Sequence, residues 1–145
     1  MNKKELINAI ASDFTAHLVP DAECLYLSDP KKDVFSVDED KLNALGFDMS
    51  QEKNMPDVVL YQKDKDWIYL IESIVTGGVI DEVRFGELDS LTKNVEKNKV
   101  FVTAFPDIQS FKDYSERLAW DTVAWIAEMP DHLIHFEKQG ILSPR

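Results

Sequence analysis

Two acidic residues, Asp57 and Glu72, lie in neighbouring apolar segments, where their carboxylates could bind a metal ion. The first segment, PDVVLYQ (56–62), has Asp57 at its start, and the second, WIYLIESIV (67–75), has Glu72 in its interior. Both segments are rich in β-branched and aromatic residues, which predicts two strands. A lone charge inside a buried strand is costly, so Glu72 requires a partner of opposite charge.

The register of the two predicted strands decides whether these acids meet. If residues 63–66 form a hairpin loop, Gln62 faces Trp67 and Asp57 lies directly opposite Glu72. Directly opposed side chains have Cβ atoms about 4.5–5.5 Å apart, so two ionised carboxylates would repel each other. A hard divalent cation such as Mg²⁺ offsets that repulsion, because it binds oxygen ligands and is often held by one or two carboxylates. The pattern therefore predicts Asp57 and Glu72 as metal ligands.

A purely structural explanation of the same two acids remains open. A register slip of one residue would place them on opposite faces of the sheet. In the structural explanation, Asp57 caps the loop after Pro56, while Glu72 pairs with a buried arginine. The candidate is Arg84, because helical spacing places it on the same face as Leu88 and points it toward the sheet. From there Arg84 could reach either Glu72 or a bound phosphate.

The elements around these two strands predict an α/β fold. The segment 67–75 is apolar on both faces, which is typical of a central strand. Apolar runs predict further strands at 23–29, 34–38, 100–105, 122–129 and 132–136, the last two as a hairpin. Helical spacing, caps and stops predict helices at 3–17, 38–47, 81–97 and 106–120, with a turn at 29–33 and a loop at 48–55. This order predicts a mixed β-sheet flanked by helices.

Composition limits the classes of function. The chain has 145 residues, which predicts one domain, and its longest apolar runs are too short to span a bilayer. Its single cysteine, Cys24, cannot form an internal disulfide, which favours a cytoplasmic location. Sixteen basic residues oppose 27 acidic ones, a net charge of −11. A phosphate backbone would repel such a chain. A DNA-binding function would therefore have to overcome this repulsion or rely on a partner.

Histidines and tryptophans form two further groups of candidate ligand-binding residues. His132 and His135 are three residues apart, but zinc needs further ligands at matching spacing, which favours a structural role. Trp67, Trp120 and Trp125 could stack on bases. Aromatic residues are more often part of the core, and the last two tryptophans have apolar neighbours. We therefore predict core positions for all three tryptophans.

Several longer stretches resemble one nuclease family. The spacing from the Pro56–Asp57 pair to Glu72 is similar to that of the PD-(D/E)xK nuclease superfamily. The stretches MPDVVLY, WIYLIESIVTGG, VFVTAFPD, FKDY, LAWDTVAWIAEMPDHLIHF and KQGILSP resemble the catalytic domain of the BsuBI/PstI type II restriction endonucleases. The resemblance runs from about residue 14 to the end of the chain. It implies a restriction-endonuclease-like mixed β-sheet flanked by helices.

The resemblance implies Mg²⁺-dependent cleavage of double-stranded DNA to 5′-phosphate and 3′-hydroxyl ends. Asp57 and Glu72 would hold the Mg²⁺ ion, while Thr76 and Arg84 would orient water or contact phosphate. A homodimer is implied as well, because two subunits would each cut one strand of a palindromic site. An active protein of this kind would be a type II site-specific deoxyribonuclease.

Departures from the family pattern keep a second function open. Ile74 occupies the position of the superfamily's lysine, and Val75 and Gly77 stand where the family has polar residues. The family's additional N-terminal DNA-recognition region is expected to be absent, leaving residues 1–145 as a single restriction-endonuclease-like domain that acts alone or through a partner protein. The alternative is a catalytically impaired member of the fold, which would serve as a protein-binding or regulatory module.

Overall fold

A seven-stranded mixed sheet forms the centre of the described part of the chain, residues 1–28 and 36–138 of a computed structural model. The strands are β1 (Glu23–Leu27), β2 (Ser36–Val37), β3 (Val58–Gln62), β4 (Trp67–Ser73), β5 (Asn98–Phe105), β6 (Thr122–Ile126) and β7 (Ile134–Phe136). Their order across the sheet is β2-β1-β3-β4-β5-β6-β7. The strand β4 therefore lies in the middle, as its two apolar faces predicted.

The pairing of β3 with β4 has the predicted register. The two strands are antiparallel, with Val58 opposite Ile71 and Gln62 opposite Trp67. The strand β5 pairs in parallel with both β4 and β6, whereas the remaining pairs are antiparallel. The predicted mixed sheet is confirmed, and so is the late hairpin of β6 and β7.

Helices lie at the four predicted places, and a further short helix lies in a segment that was predicted as a strand. They are α1 (Lys3–Ala9), a π-helical turn (Ile10–Phe14), α2 (Thr15–Leu18), α3 (Glu39–Leu45), α4 (Ile74–Gly77), α5 (Glu82–Leu91) and α6 (Ile108–Tyr114), with a short 3-10 turn after α6 (Ser115–Arg117). The helix α1 begins with a capping box, in which the side chains of Asn2 and Glu5 accept each other's backbone N–H groups. Within the described residues, no helix has the length and apolar character needed to cross a membrane.

Two apolar layers cover β4. On one face, Tyr69 and Ile71 pack with side chains from the N-terminal helices, namely Leu6, Ile7, Ile10 and Phe14. On the other face, Ile68 and Leu70 pack with Leu88 and Leu91 of α5. Because side chains alternate along a strand, Glu72 continues the face of Ile68 and Leu70 and points toward α5.

The strand β4 is shorter than the sequence predicted. The segment expected at 67–75 ends as a strand at Ser73, and the following residues form α4. Ile74, the first residue of α4, packs against buried clusters on the sheet. Over so few residues, an apolar run does not distinguish a strand from a helix. The chain therefore leaves the sheet after Ser73, one residue beyond Glu72.

The segment before β3 and the end of α5 also differ from the prediction. The helix expected at 81–97 ends at Leu91, whose carbonyl accepts a hydrogen bond from the Asp48 N–H at 2.9 Å. The segment expected as a loop, 48–55, contains a 3-10 helix (Met49–Asn54) that the Asp48 side chain caps. Both differences come from Asp48, which lies far in sequence from the helix it ends.

The described residues contain part of the predicted N-terminal strand pair. The strand predicted at 23–29 is confirmed as β1, and the described part of the segment 34–38 forms β2. The turn predicted at 29–33 lies outside the described residues.

The tryptophans divide into one core residue and two partly exposed ones. Trp125 is fully buried, and its ring meets Phe14 edge-on with centroids 5.6 Å apart. Its predicted core position is confirmed. Trp120 is 55% exposed and Trp67 38% exposed, so the core prediction was wrong for both. Trp120 lies in the turn before β6, where Asp121 has a φ of 63° and the chain bends at the surface.

Gly46→Ala is expected to lower the free energy of unfolding by more than about 1 kcal/mol. Gly46 ends α3 with a φ of 108°, a left-handed conformation that side chains disfavour, and an added Cβ would collide with the backbone of Asn94. The matched control is Gly86→Ala in α5, where open space surrounds the glycine and the change should stabilise by about 0.5–1 kcal/mol. Urea unfolding measures both. Similar effects of the two substitutions would contradict the role of Gly46.

Candidate functional site

Asp57 lies immediately before β3 and is held from two sides. Its Oδ2 accepts a hydrogen bond from the Ser73 N–H at 2.8 Å, which ties it to the end of β4. Its Oδ1 accepts from the Ser28 hydroxyl at 3.2 Å, and its backbone carbonyl accepts from the Ser28 N–H at 2.8 Å. The residue is only 8% exposed. The carboxylate is therefore fixed between the ends of β1 and β4.

Glu72 is the penultimate residue of β4 and is 9% exposed. Arg84 binds it through two hydrogen bonds, from Nη2 to Oε1 at 2.9 Å and from Nε to Oε2 at 3.2 Å. Such paired bonds between guanidinium and carboxylate are strong and fix both groups. Of the two partners that the sequence left open for Arg84, the structure shows Glu72, as the structural explanation of this acid predicted.

Arg84 lies in the first turn of α5, and the N-cap of this helix orients the arginine toward the sheet. The Asp81 side chain accepts the Arg84 N–H at 2.9 Å. The guanidinium also donates to Glu87 at 3.1 Å and to the Met55 carbonyl at 3.2 Å. Burial alone would lower the pKa of Arg84, but its bonds to Glu72 and Glu87 raise that pKa above the ordinary value. The guanidinium therefore stays charged.

The two carboxylates influence each other electrostatically. Burial raises the pKa of the Glu72 carboxyl above its ordinary value, and this effect exceeds the opposing influence of Arg84. The charge of Asp57 raises the Glu72 pKa further, while a backbone hydrogen bond from Asp57 lowers it. The repulsion expected from the opposed register is thus present. The positive charge of Arg84, which binds the Glu72 carboxylate, offsets this repulsion.

The donor atoms of this site fit a hard divalent cation. Asp57 and Glu72 supply carboxylate oxygens, and the charge of Asp57 raises the pKa of the Glu72 carboxyl. Within residues 1–28 and 36–138, no group of three or more His, Cys, Asp and Glu side chains is arranged to hold a metal ion. Mg²⁺ usually keeps several waters and is held by one or two carboxylates together with substrate phosphates, so the pair is sufficient in number.

Two surface hollows flank the acids. The hollow beside Asp57 has a volume of about 520 Å³, and the one beside Glu72 about 430 Å³. Lys53, from the 3-10 helix before β3, lines both. The other charged lining residues are Lys3, Glu52 and Asp57 in the first hollow, and Glu72, Asp81, Arg84 and Glu87 in the second. The Asp57 hollow therefore balances two lysines against two acids, whereas acids predominate in the Glu72 hollow.

The remaining predicted site residues are less closely tied to these acids. Thr76 belongs to α4, but its side chain lies outside the described residues, so its role stays a prediction. His132 and His135 lie beside exposed acidic neighbours near or in β7. Two strands, β5 and β6, separate β7 from β4. The histidines are therefore not part of the Asp57–Glu72 site.

Sequence reasoning missed three polar residues around Asp57. Ser28 follows β1 and hydrogen-bonds the carboxylate, Lys3 begins α1 with its Nζ 3.9 Å from Asp57 Oδ1, and Lys53 lines both hollows. All three come from elements that precede β3 in sequence. The capping box at Asn2 was the available local signal, since it fixes where Lys3 starts the helix.

The fold and the site define a restriction-endonuclease-like α/β domain. The solved structure of the SdaI restriction endonuclease matches 99% of this chain with a TM-score of 0.88 and 30% sequence identity. The match covers 46% of that chain. The predicted fold class is confirmed.

The chain belongs to the BsuBI/PstI restriction endonuclease family, whose domain model matches residues 2–139. The type II restriction enzyme BsuBI of Bacillus subtilis is 37% identical over 140 residues, which is 97% of this chain and 44% of that enzyme. The type II restriction enzyme AplI of Arthrospira platensis is 41% identical over 103 residues, which is 69% of this chain and 32% of that enzyme. The predicted family is confirmed, and the chain spans less than half the length of these relatives.

Arg84→Met is expected to lower the free energy of unfolding by about 3 kcal/mol, because it leaves the Glu72 carboxylate buried without its charge partner. The matched control is Glu87→Gln, which removes the exposed partner of the same guanidinium and should change stability by less than about 0.5 kcal/mol. Denaturant unfolding at neutral pH measures both. Equal losses would mean that the pair with Glu72 is no more important than a surface contact.

The stability of the protein relative to Glu72→Gln is expected to fall as pH rises above the ordinary Glu72 pKa of 4.5. Because burial raises the pKa of Glu72 in the folded protein, the folded state binds the proton more tightly than the unfolded state. The stabilisation that Glu72 contributes is complete below its pKa in the unfolded state. It is lost as pH rises through its pKa in the folded state. Unfolding both proteins across this range measures the difference. A difference that increases with pH would show that Arg84 outweighs burial.

Proposed function

We propose that this chain is a nuclease domain that hydrolyses phosphodiester bonds of double-stranded DNA with the help of Mg²⁺. The observation that carries the proposal is the placement of Asp57 and Glu72 at adjacent ends of β3 and β4, with both carboxylates almost buried. The two carboxylates repel each other and line two surface hollows that share Lys53, so a cation bound near both would offset the repulsion. Membership of a restriction endonuclease family supports DNA as the substrate.

Asp57 and Glu72 would hold the ion in this proposal. A bound Mg²⁺ would neutralise charge on the scissile phosphate and lower the pKa of a bound water. The protein contributes the fixed geometry. The Ser73 N–H and the Ser28 hydroxyl orient the Asp57 carboxylate, and the Arg84 guanidinium orients the Glu72 carboxylate.

Arg84 and Thr76 have supporting roles in the proposed reaction. Arg84 already donates to two carboxylates and a carbonyl, so its first role is to position Glu72. Its guanidinium also lines the hollow beside Glu72, where a phosphate oxygen could accept one of its N–H groups. Thr76 would orient water from α4.

The net charge of −11 shapes the expected partners. Long-range repulsion between the chain and DNA makes the cations at the site, the metal ion and any additional DNA-binding segment or partner protein important for affinity. Two copies of the chain would form a homodimer that cuts both strands of a palindromic site. The cytoplasm is the expected location.

A catalytically impaired binding module is the alternative that the sequence left open. The relatives described above are restriction enzymes, which favours the nuclease. The two acids are present together with a fixed arginine. The altered residues Ile74, Val75 and Gly77 lie in α4, and none of them replaces Asp57 or Glu72. The nuclease is therefore the better-supported function.

Asp57→Asn and Glu72→Gln are each expected to slow DNA cleavage at least about 100-fold, because each removes a carboxylate from the proposed metal site. Conversion of supercoiled plasmid to nicked and linear forms in Mg²⁺ measures the rate, and end-labelling identifies the 5′-phosphate. The matched control is Asp64→Asn, an exposed acid in the loop at the other end of the same hairpin, which should cleave normally. Absence of cleavage by the unaltered protein over a broad set of DNA sequences would support the binding module instead.

A further inference from the structure

The first residue of α1, Lys3, places an ammonium group beside Asp57. Its Nζ lies 3.9 Å from Asp57 Oδ1, although 54 residues of sequence separate the two. The capping box of Asn2 and Glu5 fixes the start of α1, so Lys3 leaves the helix at a defined point. The side chain is 32% exposed and lines the hollow beside Asp57. It is therefore within reach of a ligand in that hollow.

The donors of Lys3 are available to a ligand, whereas four of the five N–H donors of the Arg84 guanidinium are already used. Arg84 makes four side-chain hydrogen bonds, to Glu72, Glu87 and the Met55 carbonyl. Within the part of the chain that the structure describes, the Lys3 ammonium makes no hydrogen bond, and the 3.9 Å separation from Asp57 exceeds hydrogen-bond length. Lys3 can therefore donate to an incoming oxygen without breaking a bond.

No basic residue of β4 or α4 reaches the same place. The residue two positions after Glu72 is Ile74, which packs against buried apolar clusters. The neighbouring cation in the Asp57 hollow is Lys53, which is exposed on the 3-10 helix. Two lysines thus face one hollow of about 520 Å³ next to the carboxylate. In a chain of net charge −11, these two lysines offset Glu52 and Asp57 in the same hollow and are the groups there that could donate to a phosphate oxygen.

We infer that Lys3 contacts a non-bridging oxygen of the scissile phosphodiester, with Lys53 contacting an adjacent phosphate. This inference rests on the proposed nuclease function and adds a residue to it. In the hydrolysis, the oxygen of a water forms a bond to phosphorus and the bond from phosphorus to the 3′ oxygen breaks. One proton of that water reaches the 3′ oxygen through solvent, giving a 3′-hydroxyl and a 5′-phosphate. Lys3 stabilises the negative charge on the phosphate oxygens during this step.

The test compares Lys3→Gln with Lys4→Gln, the adjacent lysine, which is exposed and loses the same charge. The probe is a fluorescent 20-base-pair DNA duplex of mixed sequence in Ca²⁺ buffer, with affinity measured at several salt concentrations. Lys3→Gln should weaken binding and reduce the slope of log affinity against log salt by about one, as expected for the loss of one phosphate contact. Lys4→Gln should change both less, and Lys3→Arg should restore most of the affinity.

Cleavage and thermal melting of the same variants distinguish the possible failures. Loss of cleavage in Lys3→Gln, with Lys3→Arg active and melting temperatures unchanged, would support the inference. Normal cleavage by Lys3→Gln, with Asp57→Asn inactive, would overturn the inference and leave the nuclease in place. Lys3-dependent binding without any cleavage would retain the phosphate contact and reject the nuclease. Equal binding by Lys3→Gln and Lys4→Gln, or no duplex binding by the unaltered protein, would overturn the inference outright.

Discussion

The antiparallel register of β3 and β4 is the constraint on which the site depends. It brings Asp57 and Glu72, two nearly buried carboxylates, to the same end of adjacent strands. Their repulsion has to be offset, and the surrounding structure does so with the Ser73 N–H, the Ser28 hydroxyl and the Arg84 guanidinium. The cap of α5 places the guanidinium, and the ends of β1 and β4 place Ser28 and Ser73, so the site draws on one helix and two strands of the sheet.

The charge distribution is compatible with the proposed binding of DNA by an acidic chain. Acids predominate around Glu72, where a cation is favoured, and lysines from α1 and the 3-10 helix stand beside Asp57. This separation of acidic and basic side chains acts only locally, because screening limits the influence of remote charges to about 10 Å at ordinary ionic strength. The distribution near the acids therefore matters more at the scissile bond than the total of −11. The total charge weakens long-range attraction to DNA.

Local sequence patterns were sufficient for the parts of the site that lie on consecutive elements. Strand alternation and loop length gave the β3–β4 register, and helical spacing gave the contact of Arg84 with Glu72. Lys3 and Ser28 could not be found this way, because their proximity to Asp57 depends on how distant elements pack. The early end of α5 has the same origin, since Leu91 bonds Asp48. Trp120 was misassigned because apolar neighbours in sequence do not guarantee burial next to a tight turn.

The most direct test of the central claim is titration calorimetry of Mn²⁺ and Mg²⁺ with the unaltered protein, Asp57→Ala and Glu72→Ala, using Asp64→Ala as the control. Saturable binding is expected for the unaltered protein and for Asp64→Ala, and loss of that binding is expected for each of the other two variants. No binding at millimolar metal, or binding that survives both substitutions, would contradict the claim that the two acids form a metal site. The pair would then be a structural element of the fold, with Arg84 as its counter-ion.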